Sequence, residues 1–427
     1  MIISRRAIFT VFFQFISIFI FSQEIKKGDA YYYARKILDT MTSVSMHGRG
    51  YVNGGDSIAA NYIKTEYQKL GLKTFGEDYY QRFSFAVNTF PNTISVEADN
   101  KKIFPGKDFI VFAHSQTSSG KYFTTIADDE LVQNKKKFRK FLKQDLSKKI
   151  LIVDDTGKQT KELRDLPSVN NPPKALVYLR DKLTMEVAQN VNDFPIIEIL
   201  RTSVNKPKEI GYEIQNKFLP AHPSQNVIGY IKGSEHPDSF IVYTAHYDHL
   251  GQMGKDVYFP GANDNASGCA MLLNLAKYYS MPEHQPKCSI AFIAFCAEEV
   301  GLLGSKYYTE HPLFPLKQIK FLLNMDIMGT GEDGITVVNG SVFKKEFDLL
   351  KQINSENNFI KEVKIRGKAA NSDHYYFSEN GVHACFIYTM GGIKAYHDIY
   401  DKAETLPLNE FQNLFNLITK FCEDLNE

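Results

Sequence analysis

The chain of 427 residues has no tryptophan, only five cysteines and a net charge of just +1. The missing tryptophan excludes nothing about function. The cysteines, at 269, 288, 296, 385 and 422, are odd in number and show no C-x-x-C spacing. Neither a disulfide framework nor a thiolate metal site is written in them, and Cys288 and Cys296, in or beside apolar runs, read as buried free thiols. The near-zero charge gives no electrostatic case for nucleic acid or an anionic membrane as partner. Internal repeats and low-complexity segments are absent.

What is present begins with a leader. A basic start, "MIISRR", precedes an apolar run of 15 residues and then "SQE", with a small residue at Ser22. The run is short for a membrane span of about 20 residues, and the layout is that of a signal peptide over residues 1–23. Export follows, to the periplasm or beyond, with no stable membrane insertion once the leader is cleaved; an uncleaved anchor is the alternative. No cysteine follows the run to carry a lipid.

Hydrophobic content of 43% and charged content of 23% are those of a globular protein, long enough for two domains. Residues 56–70, "DSIAANYIKTEYQKL", place Ile58, Ala59, Tyr62, Ile63, Tyr67 and Leu70 on one helical face. Asp56 is the expected N-cap and Gly71 the expected stop. From 86 to 220 the texture changes to short β-like runs such as "DFIVFAH" and "KKILIVDD", with a basic segment, "NKKKFRKFLKQ", read as a solvated helix face. From 221 onward apolar runs alternate with helical segments, which predicts a largely parallel sheet covered on both faces. In such sheets ligands bind beyond the carboxyl ends of the strands.

Every polar cluster of this third region sits at that end. "SFIVYTA" runs into "HYDHLG", "CSIAFIAFCA" into "EEVGLLGS", and "IKFLLN" into "MDIMG". The candidate metal ligands are His246, Asp264, Glu299, Asp326 and His397, an imidazole and carboxylate set suited to zinc where thiolates are absent. Singly, each has an ordinary explanation. His246 could be a core histidine, Asp264 a cap for a helix starting near Ala266, Asp326 a partner for a lysine, and His397 a surface residue. Four fall at strand ends or the turn after one, and the fifth opens a helix; that joint placement favours a site.

In their order and wording, "AHYDHLG", "PGANDNASG", "FCAEEVGLLGS", "NMDIMG", "SDHYYF" and "YHDIYD" resemble the co-catalytic di-zinc aminopeptidases related to glutamate carboxypeptidase. The resemblance is close over 220–405 and extends to the opening helix in 47–72. Residues 86–220 more loosely resemble the protease-associated domain that some members carry as an insertion. It implies a mixed, largely parallel α/β catalytic domain split between 24–85 and 221–427, acting on peptide substrates with two Zn2+ per chain. Asp264 would bridge the metals, with His246 and Asp326 completing one site and Glu299 and His397 the other. Glu298 would be the general base for a water held between the metals. Asp248 would orient His246, Tyr396 would help stabilise the tetrahedral intermediate, and the Asp264–Asn265 peptide would be cis. Asparagines flank Asp264 where many relatives have acids.

The resemblance also explains why Glu298 and Glu299 end an apolar run together. The strand would end at Glu298 and the helix begin at Glu299, so both carboxylates reach one site. A carboxypeptidase or dipeptidase reading needs a basic group for the substrate carboxylate. Arg366 is the candidate, a structural ion pair being its plainer role. The same fold also admits a glutaminyl-cyclase-like acyltransferase with one zinc, or an inert receptor-like module. The intact His246 and Glu298–Glu299 pair speak against the first, and the complete ligand set against the second. Oligomeric state is not written in the sequence.

Overall fold

The computed structural model describes residues 28–155 and 171–426, so the leader expected over 1–23 lies outside the described residues. Two eight-stranded sheets organise the chain. The first runs, edge to edge, through Tyr80–Thr89, Lys217–Ile231, Cys288–Phe295, His236–His246, Ile319–Met325, Ala384–Thr389, Ile335–Val338 and Val363–Ile365. Its four middle strands, Cys288–Phe295 to Ala384–Thr389, are mutually parallel, while antiparallel strands flank them. The largely parallel sheet expected from the sequence is present.

Successive side chains on a strand face opposite ways, and both faces here are apolar. On His236–His246, Ile241, Tyr243 and Ala245 pack under the helices Asp29–Met41, Gly55–Lys69, Ser267–Tyr279 and Phe411–Asn426. Phe240 and Val242 face the other way, towards Tyr308, Phe314 and Phe377. Burying such side chains is worth about 1.5–3 kcal/mol each.

The opening helix spans Gly55–Lys69 and stops where expected, with Gly71 in the left-handed region just beyond. Two details differ from the sequence reading. Asp56 is not the cap; it lies in the first turn, fully buried, and its carboxylate accepts from Ser224 Oγ at 2.8 Å and pairs with His222 Nε2 at 2.9 Å. The buried face is centred on Ala59, Ala60, Ile63 and Tyr67, which leaves Ile58 40% exposed.

The second sheet is built within residues 94–214, in the order Lys101–Ile103, Ile94–Ala98, Glu209–Ile214, Ser118–Asp128, Ile150–Asp154, Ala175–Arg180, Ile196–Leu200 and Phe109–Val111. Part of the basic segment forms the helix Lys135–Phe141, which buries Phe141 and leaves its lysines outside. None of the five cysteines forms a disulfide, and all are buried. Among the described residues no helix is long and apolar enough to cross a membrane.

Candidate metal centre

The expected residues converge at the carboxyl ends of the parallel strands. His246 is the last residue of its strand, Asp326 follows Met325, and Glu298 and Glu299 lie in the turn after Phe295. That turn corrects the sequence reading. The strand stops at Phe295 and the next helix begins only at Leu303, so both glutamates sit on a loop with Ala297 and Leu302 in the left-handed region. Ile327 and His397 share that conformation, unfavourable for side chains with a Cβ. Such residues cluster where a backbone must be aimed at a site.

Asp264 lies at the middle. Its Oδ1 is 3.3 Å from His246 Nε2 and its Oδ2 is 3.1 Å from His397 Nε2. His246 Nε2 also meets Asp326 Oδ2 at 3.5 Å, and His397 Nε2 meets Glu299 Oε2 at 3.2 Å. The five candidate ligands thus form two donor sets sharing one carboxylate. Asp264 does not cap the helix Ser267–Tyr279, and the Asp264–Asn265 peptide is cis.

Each side chain is held by something behind it. His246 Nδ1 donates to the Asp248 carbonyl at 3.1 Å, while the Asp248 carboxylate expected to play that part is 3.8 Å away. That carboxylate instead accepts from Tyr51 Oη at 2.5 Å and from the main-chain nitrogens of Glu298 and Glu299 at 3.3 Å, so it shapes the glutamate turn. His397 Nδ1 donates to the Met185 carbonyl at 3.0 Å, from the loop between the second-sheet strands Ala175–Arg180 and Ile196–Leu200. Fixing Nδ1–H on both rings leaves Nε2 as the free ligand atom. Asp326 Oδ2 accepts from Ser372 Oγ at 3.2 Å, and Asn324 and Thr244 continue that chain of hydrogen bonds.

Three groups passed over in the sequence belong here. His249, fully buried, contacts Glu299 Oε1 through Nδ1 at 2.6 Å. His249, Asp264 and Glu299 also offer atoms within 4.8 Å of one another, but His397 Nε2 lies at 3.1–3.2 Å from both carboxylates while His249 Nδ1 is already bonded to Glu299, so His249 reads as the holder of Glu299. The Asp401 carboxylate accepts from the main-chain nitrogens of Asn263 and Asp264 at 2.8–3.0 Å. Arg49, fully buried, donates to the carbonyls of Met41, Tyr247, Pro260, Gly261 and Asp264. The signal for Arg49 was a lone arginine between glycines, "HGRGY"; for His249 it was its place in "HYDHLG".

The electrostatics ask for cations. Burial opposes charge on His397, but Glu299 and Asp264 hold its pKa up at about 11. Burial also works against charge on Glu299, yet His397 and His249 pull it down to about 2. Glu298 goes the other way, raised by burial and by the carboxylates of Glu299, Asp373 and Asp326. The two glutamates also face differently: Glu298 lines a cavity of about 230 Å3 with Asp264, Asp326, Tyr396 and His397, and Glu299 does not. Tyr396, 43% exposed, stacks on the His397 ring with centroids 4.0 Å apart.

The donor chemistry fits two zinc ions. Imidazole nitrogen and carboxylate oxygen converge, thiolates are absent from the cluster, and His246, Asp264 and Asp326 offer atoms within 4.8 Å of one another. Buried Asp326 Oδ1 has no hydrogen-bond partner, as a ligand atom aimed at a cation would.

Residues 226–422 match the profile of peptidase family M28. The matched residues make up just under half of the chain. Among curated relatives, aminopeptidase YwaD of Bacillus subtilis is 29% identical over 277 residues, 58% of this chain and 56% of the relative. A probable zinc metalloprotease of Pyrenophora teres f. teres is 36% identical over 114 residues, 26% of this chain and 24% of its own. The chain therefore spans about half, or less, of the curated relatives it matches. Among solved structures, BSAP, a zinc aminopeptidase from Bacillus subtilis, superposes with a TM-score of 0.69 at 20% identity, covering 91% of this chain and 93% of that one. A peptidase M28 precursor from Shewanella amazonensis gives 0.68 at 16%, covering 93% and 96%. At those identities the likeness shows the fold.

Proposed function

We propose that this chain is an exported di-zinc exopeptidase that hydrolyses the amino-terminal peptide bond of peptides. The observation that carries the reading is Asp264, whose two oxygens each face one imidazole nitrogen at 3.1–3.3 Å, as a ligand shared by two ions would. His246 and Asp326 would complete one ion, Glu299 and His397 the other. Bound there, the ions would supply Lewis acidity and lower the pKa of water.

The side chains divide the remaining work. Glu298 faces the cavity and pairs with no imidazole, so it is free to take a proton from the attacking water and return it to the leaving amine. Tyr396 Oη, on the wall of the same cavity, would donate to the developing oxyanion. Asp248, through the Glu298 and Glu299 nitrogens, holds the turn on which this division depends.

The chain organisation is part of the proposal: a catalytic unit from 24–85 and 221–427, and an inserted protease-associated-like unit over 86–220. The two separate sheets support it, and pairing of Tyr80–Thr89 with Lys217–Ile231 draws the junction inward on both sides. The test is elemental analysis of the purified chain together with turnover of one peptide, free and acetylated at its amino terminus. Two metals per chain and cleavage of the free peptide alone are expected. Equal turnover of both peptides would remove the aminopeptidase reading, and one tightly held metal would favour a cyclase-like enzyme.

A further inference from the structure

We infer that Arg366 makes the cavity beside Glu298 a receptor for a carboxylate on the substrate, so that acidic or short carboxyl-terminated peptides are preferred. The inference rests on the exopeptidase reading and adds the substrate class.

Arg366 lines the same cavity of about 230 Å3 as Glu298, Asp326 and His397. A structural ion pair was its plainer expectation, and among the described residues it makes none. Its Nη1 donates to Tyr388 Oη at 3.3 Å, which steadies the side chain without neutralising it. Of the neighbouring lysines, Lys361 pairs with Asp333 at 2.7 Å and Lys368 with Glu379, while Lys364, like Arg366, makes no ion pair among the described residues. An exposed guanidinium on the cavity wall that pairs with no carboxylate is left with N–H groups to offer a ligand.

The charges of the wall point the same way. The carboxylates lining this cavity are Asp264, Glu298 and Asp326, all members of the cluster. With Glu299 they total −4, which two dications would balance, leaving Arg366 as the net charge. The neighbouring cavity, sharing Asp264, Ile327 and Tyr396, adds Lys394 and no acid outside the cluster. A lysine or arginine side chain entering here would meet a like charge and find no anion. A carboxylate would meet the planar donor fork that matches its geometry, with Asn371 and Tyr388 beside it. Phe386 and Ile327 wall off the rest, leaving room for a short side chain.

That carboxylate has two sources: the side chain of an amino-terminal Glu or Asp, or the carboxyl terminus of a dipeptide. Two substrate pairs separate them, each assayed with the zinc-loaded mature chain. Glu-p-nitroanilide against Leu-p-nitroanilide reads the side chain, and Leu-Gly against Leu-Gly-amide reads the terminus. The wild type is expected to favour the carboxylate member of at least one pair in kcat/KM. Arg366→Ala should shrink that preference by about 10- to 100-fold, the range of a charge-assisted hydrogen bond, and act mainly through KM. Arg366→Glu should shift preference towards Lys-p-nitroanilide. A wild type indifferent to the carboxylate in both pairs, or an Arg366→Ala variant that slows both members equally, would overturn the inference and leave the exopeptidase reading standing. A metal-loaded wild type that cleaves none of the four would bring down both.

Discussion

Glu298 and Glu299 are neighbours in the chain with opposite surroundings. Glu299 is tied to His249 and His397, while Glu298 faces the cavity. Conservative substitution should separate them. Glu298→Gln keeps shape and removes the proton acceptor, so kcat should fall by about 10²–10⁴-fold with metal content unchanged. Glu299→Gln takes a negative charge from a ligand, so one ion should be held more weakly and activity should partly return with added zinc. Metal stoichiometry and kcat measured on both variants check this; metal loss in the Glu298 variant alone would reverse the roles. Arg49 sets a structural case at the same scale. Its buried guanidinium satisfies five carbonyls, four in the loops that carry Tyr247 and Asp264 and one at Met41, the last residue of a helix. Arg49→Met should cost about 3–5 kcal/mol, because the carbonyls stay buried and lose their donors. A shift in the urea midpoint at unchanged slope would measure it.

At the scale of elements, the site depends on a segment outside the strands that carry most of its ligands. Met185 exchanges two main-chain and ring contacts with His397: its carbonyl takes Nδ1–H at 3.0 Å and its N–H reaches the His397 carbonyl at 2.8 Å. Lys182 Nζ reaches the Lys394 and Tyr396 carbonyls at 3.1 Å and Asp398 at 3.3 Å. Gln189 Nε2 donates to the Val300 carbonyl, in the glutamate loop, at 2.9 Å. Leu250, Met253 and Phe259, from the chain after His246, pack into the apolar core of the second sheet. That segment therefore acts as a strap across both loops. Replacing Lys182 and Gln189 together by alanine should loosen His397 and weaken zinc binding at its site by about 10–100-fold, the range for lost contacts behind a metal ligand. Competition with a chelator of known affinity reads the change. An unaltered zinc affinity would limit the strap to shaping access.

At the scale of the whole molecule, four carboxylates gather beside two imidazoles at the end of a parallel sheet, and on the proposed reading folding and cation binding would be one equilibrium. An ion bound only by the folded state, and present at 1,000 times its Kd, adds about 4 kcal/mol. Chelation should therefore lower Tm, and zinc should restore it. Asp264→Ala, which removes the ligand common to both sets, should narrow the gap between loaded and chelated protein. Scanning calorimetry with and without chelator makes the comparison.

The order of apolar runs and the residues that end them determined the parallel sheet, its covered faces and the end at which a site must lie, because strand burial leaves a direct mark on composition. His246 and Asp326 were legible for the same reason, since one ends a strand and the other directly follows one. Asp264, Glu299 and His397 lie outside the strands and long helices, and only the wording of their motifs marked them. What only the tertiary structure decided were contacts between segments far apart in the chain. Asp248 reads as a partner for His246, yet its carboxylate turns to Tyr51 and the glutamate loop, since the Asp248 carbonyl already satisfies the ring. Asp56 reads as a cap, but His222 and Ser224 lie 166 and 168 residues away and claim its carboxylate. The glutamates read as a strand end and a helix start, but left-handed Ala297 and Leu302 open a loop between the two elements. Met185 carries no chemical signal at all, because what it offers His397 is a carbonyl group, which every residue has.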